Sequence, residues 1–255
     1  MRKIRLISCF LVVSLLFSAC AKEIESTAGG EIITTTVATT TEPVVTTEPI
    51  PAPVTVRVTA AGDNLIHSSI YNQAHKRSEN GTYDFRYAYE NIRPLICGDL
   101  NILNQETPIC NDVFEPSTYP CFNSPTQLGN EMLDIGFNAF CHANNHILDK
   151  GMKGVEATLD YWADKDAVVY GAYRNEEDMN NIRTRNINGI TFSFLGFTEH
   201  TNGIRIPEDS EIEVIYTEEI ETIEKQIKSA REQSDVVVVS VHWGVENSHI
   251  ITDAQ

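Results

Sequence analysis

The sequence is short of positive charge. Nineteen Lys and Arg stand against 36 Asp and Glu, for a formal net charge of −17. Sequence-independent nucleic-acid binding needs a basic stripe to displace counterions, so that class of partner is excluded. Docking on an anionic membrane surface is disfavoured for the same reason. The apolar run at Leu6–Phe17 is too short to span a bilayer comfortably. No pair of the six cysteines has CxxC spacing, which argues against a zinc ribbon. No internal repeat is evident. What the chain has in surplus is carboxylate, which suits metal binding at a few positions and a solvated surface at most of them.

The N-terminus reads as an address. Arg2, Lys3 and Arg5 precede the apolar run, and Ser18-Ala19-Cys20 follows it, the order of a secretory signal. Leu16-Phe17-Ser18-Ala19-Cys20 resembles a bacterial lipobox, with Phe17 where Leu is usual, so residues 1–20 are expected to be a lipoprotein signal with a lipid on Cys20. A cleaved, soluble export signal is the alternative. Residues 21–53 combine repeated Thr with Pro43, Pro49, Pro51 and Pro53 and have little to bury, as expected of a disordered stalk. At about 3 Å per residue it would reach about 100 Å from an anchor. The expected location is the outer face of the bacterial cytoplasmic membrane.

From residue 54 onward the patterning changes. Val54–Ala61, Leu100–Leu103, Phe137–Cys141, Val168–Tyr170 and Val236–Val241 predict strands, the last buried on both faces because it is a continuous apolar run. Phe85–Ile96, Thr126–Ile135, Lys150–Ala163 and Glu218–Ser234 predict helices. Thr184–Ile187 and Ile190–Phe197 predict a hairpin around Asn188-Gly189. Strands alternating with helices mean an α/β fold with a partly parallel sheet. Cys97 and Cys141 are expected in the core, and Cys110 and Cys121 flank a loop across which a disulfide is one option.

In open α/β sheets, sites form outside the carboxyl ends of strands. Four predicted strands end in acid, amide or imidazole groups. These are Asp63 and Asn64 with His67 beyond; Asn104-Gln105-Glu106; Asn144-Asn145-His146 with Asp149 beyond; and His242-Trp243 with Glu246 beyond. Each has an ordinary structural explanation: a helix cap for Asp63, a loop acid for Glu106, turn residues for Asn144 and Asn145, a buried hydrogen-bonded ring for His242, packing for Trp243. All four together are harder to ascribe to capping and turns. A mixed O/N donor set suits Mn²⁺, Zn²⁺ or Fe rather than a soft-metal site.

The stretches Ala61-Gly62-Asp63-Asn64-Leu65-Ile66-His67, Asn104-Gln105-Glu106, Ala143–Gly151 and His242–Glu246 resemble, in this order, the CapA family of poly-γ-glutamate capsule biosynthesis proteins, within the calcineurin-like metallophosphoesterase superfamily. The resemblance implies an α/β fold of four α/β/β/α layers of the metallo-dependent phosphatase type over residues 54–255. It implies two divalent metal ions, with Asp63, Glu106, Asn145 and His242 as ligands and His146 as proton donor. Asn64, His67, Asn144, Asp149, Trp243 and Glu246 would line the substrate. It further implies metal-assisted attack on a phosphoryl or acyl centre in the synthesis, transfer or anchoring of a capsule polymer. The partners would be that polymer, a membrane reached through Cys20, and subunits of a capsule-synthesis complex. The alternatives are a non-catalytic assembly scaffold and a generic extracellular phosphoesterase. The family also carries a Gly-His-His-Pro-His-like segment after its His-Trp-Gly strand. None occurs in this sequence, so the domain is expected to be partial at its C-terminus.

Overall fold

The structure is a computed structural model that describes residues 52–252 and 255. The signal, lipobox and nearly all of the stalk lie outside the described residues. No helix among the described residues is long and apolar enough to cross a membrane.

Two sheets form the centre. The first contains β1 (Val58–Asp63), β2 (Leu100–Asn104), β3 (Ala139–Cys141) and β4 (Val168–Tyr170), all parallel and in chain order. The second contains β5 (Arg183–Ile187), β6 (Ile190–Thr198) and β7 (Val236–His242). Here β5 and β6 form an antiparallel hairpin, and β6 pairs in parallel with β7. The hairpin closes with Ile187 opposite Ile190, and Asn188 (φ 53°) and Gly189 (φ 86°) both take the left-handed region. That is the backbone a two-residue hairpin turn requires, and Asn-Gly supplies it with least strain.

Side-chain alternation builds the layers. Ala139 and Cys141 on β3 meet Phe192 and Phe194 on β6 between the sheets, together with Leu100 and Tyr170. Phe140 points the other way and packs with Leu128 and Met132 of α3 (Thr126–Asp134) and Trp162 of α4 (Gly151–Trp162). On the second sheet Leu195 and Phe197 face α6 (Ile220–Gln233) through Ala230, Ile223 and Ile227. The order is helix, sheet, sheet, helix: an α/β/β/α sandwich. Each fully buried Phe contributes about 1.5–3 kcal/mol of apolar transfer to it.

Two glycines sit at close approaches beside the end of β3, and Gly196 of β6 is the one that faces the other sheet. A Cβ on Gly171 would lie 2.6 Å from the backbone nitrogen of Ala143, and one on Gly196 would lie 3.0 Å from both Cys141 Sγ and Gly171 Cα. Neither position has room for a side chain, and both lie just beneath the Asn144-Asn145-His146 turn.

Several expectations are corrected. The strand expected at Val54–Ala61 begins later and ends at Asp63. The helix expected over Phe85–Ile96 is only α2 (Arg86–Tyr89) followed by a 3-10 turn at Arg93–Leu95. Pro94 has no N–H to donate and restricts the residue before it, so an α-helix cannot run through. Two helices were not expected, α1 (Ser68–Arg77) and α5 (Glu176–Asn180). Asn175 caps α5 through Oδ1, which accepts from Asp178 N at 2.9 Å. β7 is not buried on both faces: Val236 and Val239 are 40% and 43% exposed. Among the described residues β7 pairs only with β6, and an apolar sequence does not itself supply covering neighbours. Cys97 is exposed rather than in the core, while Cys141 is buried. Cys110 and Cys121 are both free thiols. The Cys110 Sγ instead donates to Asn123 Oδ1 at 3.1 Å.

Candidate functional site

The parallel strands bring their carboxyl ends to one edge, where side chains from four of them meet. Asp63 closes β1 and Asn104 closes β2. Their register aligns them, and Asn104 Nδ2 donates to Asp63 Oδ1 at 2.6 Å. His242 closes β7. Its Nδ1 lies 3.7 Å from Asp63 Oδ1 and its Nε2 lies 4.0 Å from Glu106 Oε1. His146, on the turn after β3, places Nε2 3.9 Å from the same Glu106 oxygen. Thus the four come together as a chain of contacts running Asp63, His242, Glu106, His146.

The turn after β3 is pinned in place. Asn144 Oδ1 accepts from the His146 backbone N–H at 3.0 Å, and Asn144 Nδ2 donates to Gln105 O at 3.1 Å. Asn144 therefore ties the turn to the end of β2. Asn64 is likewise committed: its Nδ2 donates to Gln105 Oε1 at 2.8 Å, and its Oδ1 accepts from Tyr89 OH at 2.7 Å. Asp149 sits beside His146, its Oδ2 2.8 Å from His146 Nδ1. His67 reaches Thr118 Oγ1 at 3.4 Å and packs edge-on against Phe122 at 5.0 Å, and Phe122 packs edge-on against His146 at 4.7 Å. Trp243 and Glu246 are exposed, and neither side chain hydrogen-bonds to the cluster.

Burial and charge shape the titration of the site. Burial, with the Asp63 charge adding to it, pushes the Glu106 carboxyl up to about 7. The His242 imidazole beside it, and the hydrogen bond from Asn104, outweigh burial and hold Asp63 below the ordinary carboxylate range. Burial works against charging His242, but Asp63 and Glu106 outweigh it and raise the imidazole above its usual value. Such perturbed groups gathered at a sheet edge are a common mark of a working site.

The donor chemistry fits a divalent cation. Glu106 Oε2 and Asn145 Oδ1 are buried with no hydrogen-bond partner. An orphaned buried oxygen costs about 1–3 kcal/mol and is relieved by a donor or a cation. His242 lies beside Glu106, and Asp63 beside His242, as further donors. Among the described residues, no group of three or more His, Cys, Asp and Glu side chains converges as placed to hold a metal. His242 shows why, since its two nitrogens face two different carboxylates.

Some residues at this edge have roles that the sequence did not assign. Asn104 links Asp63 to His242, lying 3.4 Å from His242 Nδ1. The loop after β6 brings Glu199, whose Oε2 accepts from Gly244 N at 2.7 Å, and Asn202, whose Oδ1 accepts from Asn145 Nδ2 at 3.3 Å. Phe122 also belongs to the site. The available signal for Asn202 was an Asn-Gly pair just past a strand end, the same kind of turn mark that identified the hairpin.

A layered α/β protein whose strand ends gather carboxylates, amides and histidines is the class these features define. Residues 57–255 match the family described as Bacterial capsule synthesis protein PGA_cap, and the chain belongs to that family. It is 31% identical over 133 residues to the PGA biosynthesis protein CapA of Bacillus subtilis (strain 168), across 48% of this chain and 32% of that protein. It is 32% identical over 118 residues to the capsule biosynthesis protein CapA of Bacillus anthracis, across 44% of this chain and 28% of that protein. The matched stretch thus spans about a third of each relative's length. A Staphylococcus aureus 5'-nucleotidase candidate, solved with alpha-ketoglutarate, aligns at 17% identity and a TM-score of 0.45, over 75% of this chain and 38% of its own.

Proposed function

We propose that this chain is a surface-anchored protein that handles poly-γ-glutamate or a related anionic capsule polymer, with divalent cations held by Asp63, Glu106, Asn145 and His242. The observation that carries the reading is the pair of orphaned oxygens, Glu106 Oε2 and Asn145 Oδ1, at the strand edge where Asp63 and His242 also meet. Family membership supports the capsule context. Bound there, divalent ions would supply Lewis acidity and offset anionic charge. The chain's own residues do the rest. Asp149 holds His146 by Nδ1, leaving Nε2 turned toward Glu106 and the cluster, where it serves as a proton donor to a leaving oxygen. A strongly acidic protein repels an acidic polymer unless the local sign is reversed, and a cation site at this edge would do that. The proposed location is the outer face of the bacterial cytoplasmic membrane, through a lipid on Cys20, with subunits of a capsule-synthesis complex as neighbours.

A second reading, a non-catalytic assembly scaffold, is favoured by one observation: the His242 ring lies between two carboxylates instead of sharing a focus with them. One experiment separates the readings. Full-length protein carrying Asp63→Ala, Asn145→Ala or His146→Ala is returned to a capsule-deficient host, with surface level and capsule both measured. Loss of capsule at normal surface level supports the cation-dependent reading. Normal capsule in all three variants establishes the scaffold. Turnover of bis-p-nitrophenyl phosphate by the purified protein, with capsule unaffected, points to a general phosphoesterase.

A further inference from the structure

We infer that Asn202 is a positioning residue that sets which end of the Asn145 carboxamide faces the candidate cation site; this rests on the cation reading proposed above. A carboxamide has two ends of similar size and opposite polarity. Only the oxygen ligates a cation, and the NH₂ repels one. Asn145 Nδ2 donates to Asn202 Oδ1 at 3.3 Å, while Asn145 Oδ1 is buried without a partner. With the NH₂ end engaged, the oxygen is the end left for a ligand. The neighbouring imidazole does not compete. His146 Nδ1 lies 3.3 Å from Asn202 Nδ2 but 2.8 Å from the Asp149 carboxylate. The carboxylate is the nearer acceptor and takes the Nδ1 proton, so the ring does not draw Asn202 Oδ1 away from Asn145.

The loop that carries Asn202 is held at both ends and at its turn. Thr198 pairs with His242 in the β6–β7 ladder, and its Oγ1 donates to His200 O at 3.0 Å. Thr201 Oγ1 donates to Ile204 O at 2.6 Å and meets Tyr216 OH at 2.9 Å. Asn202 itself has φ 50°, a left-handed conformation that Asn and Gly tolerate and most residues do not. The same loop reaches the His242 strand through Glu199 and Gly244, so one segment braces the Asn145 and His242 sides together.

The test is Mn²⁺ binding to the full chain by calorimetry, in wild type, Asn202→Gly and Asn202→Asp. Asn202→Gly keeps the left-handed backbone and removes the acceptor. It is expected to weaken Mn²⁺ about 10–100-fold, the usual effect of removing a group that orients a ligand. Asn202→Asp retains an acceptor and is expected to bind at least as tightly as wild type. Wild-type affinity in Asn202→Gly overturns the inference and leaves the cation reading standing. An Asn202→Asp variant as weak as Asn202→Gly also overturns it, because the acceptor is then not what matters. Failure of wild type to bind Mn²⁺ or Zn²⁺ removes the cation reading and this inference with it. Side-chain amide NMR of the metal-free protein is the second measurement, and it holds even if a variant binds poorly for other reasons. The Asn145 Nδ2 resonances are expected to move in Asn202→Asp, and unmoved resonances overturn the hydrogen bond itself.

Discussion

Asp149 Oδ2 lies 2.8 Å from His146 Nδ1, and the same oxygen accepts the backbone N–H of Phe122 at 2.6 Å. One carboxylate oxygen thus fixes the imidazole and the loop whose aromatic ring packs against it. Asn at 149 has one carbonyl oxygen and one NH₂, and the NH₂ can face a bare Nδ1. Asp149→Asn is therefore expected to lower the fraction of His146 in the Nδ1–H tautomer, read from imidazole ¹⁵N shifts. Replacing a charge-assisted acceptor by a neutral one is expected to cost about 1–2 kcal/mol in urea unfolding. Unchanged nitrogen shifts and an unchanged midpoint would show that Asp149 does not hold this ring.

The two sheets leave no space at Gly196. A Cβ there would lie 3.0 Å from Cys141 Sγ and from Gly171 Cα, and 3.1 Å from Ala143 Cβ. Gly196→Val would add two further methyl groups against a thiol, a backbone Cα and a methyl that already leave no gap, so the sheets must part. The expected cost is about 1–3 kcal/mol or more. Because Ala143 leads directly into Asn144, the site should be disturbed with the core. Gly62→Ala, where a Cβ meets nothing within 4 Å, is the control and should unfold near the wild-type midpoint. Equal midpoints for the two variants would contradict this packing.

Asn101 closes three backbone groups near the start of β2. Its Oδ1 accepts from Gly98 N at 2.9 Å, and its Nδ2 donates to Gly98 O at 3.0 Å and to Gly136 O at 2.8 Å. A leucine has the same branched outline but is larger, and it would strand all three. At about 1 kcal/mol for each lost bond in a half-buried setting, Asn101→Leu is expected to destabilise by about 2–4 kcal/mol. Thermal unfolding within 1 °C of wild type would mean that water replaces the side chain without cost.

The sequence made the strand ends legible, and for a physical reason. Short apolar runs that stop at Asp63, Asn104, Cys141 and His242 mark both where a strand is buried and where its polar end emerges. Asn188-Gly189 was equally plain, because few other pairs take two left-handed residues in succession. Other features depended on neighbours that a local pattern does not contain. The Val236–Val241 run looks doubly buried, yet its exposure is set by what packs on β7. Ser68–Arg77 carries a weak apolar stripe, with only Ala74 buried, so its helix showed little periodicity. Phe85, Tyr89, Ile92 and Ile96 do have helical spacing, but Pro94 interrupts the backbone that the spacing implies. Asn202 lies 57 residues from Asn145, and only the folded chain brings their amides together.

His142 gives the molecule an acid weakness that can be isolated. Its ring is fully buried between β3 and α4, beside Trp162 at 5.9 Å between centroids, and neither ring nitrogen has a partner. Burial pushes its imidazole down from 6.5 to about 3. In the unfolded chain the same ring takes a proton near pH 6.5. Above that pH both states hold it neutral and it adds no pH dependence. Below it, the unfolded state binds a proton that the folded state refuses, so stability falls as pH drops toward about 3. The slope from one such group reaches about 1.4 kcal/mol per pH unit. Other carboxylates titrate over the same range, Glu106 among them, so the comparison is with His142→Leu, which keeps them and removes the ring. Between pH 7.5 and 5.0 in urea, wild type is expected to lose about 1–2 kcal/mol more than His142→Leu. At pH 7.5 the variant should be at least as stable, because it also removes two unpartnered nitrogens. Parallel pH profiles for the two proteins would mean that His142 has access to water or to a partner, and the buried, neutral ring would have to be abandoned.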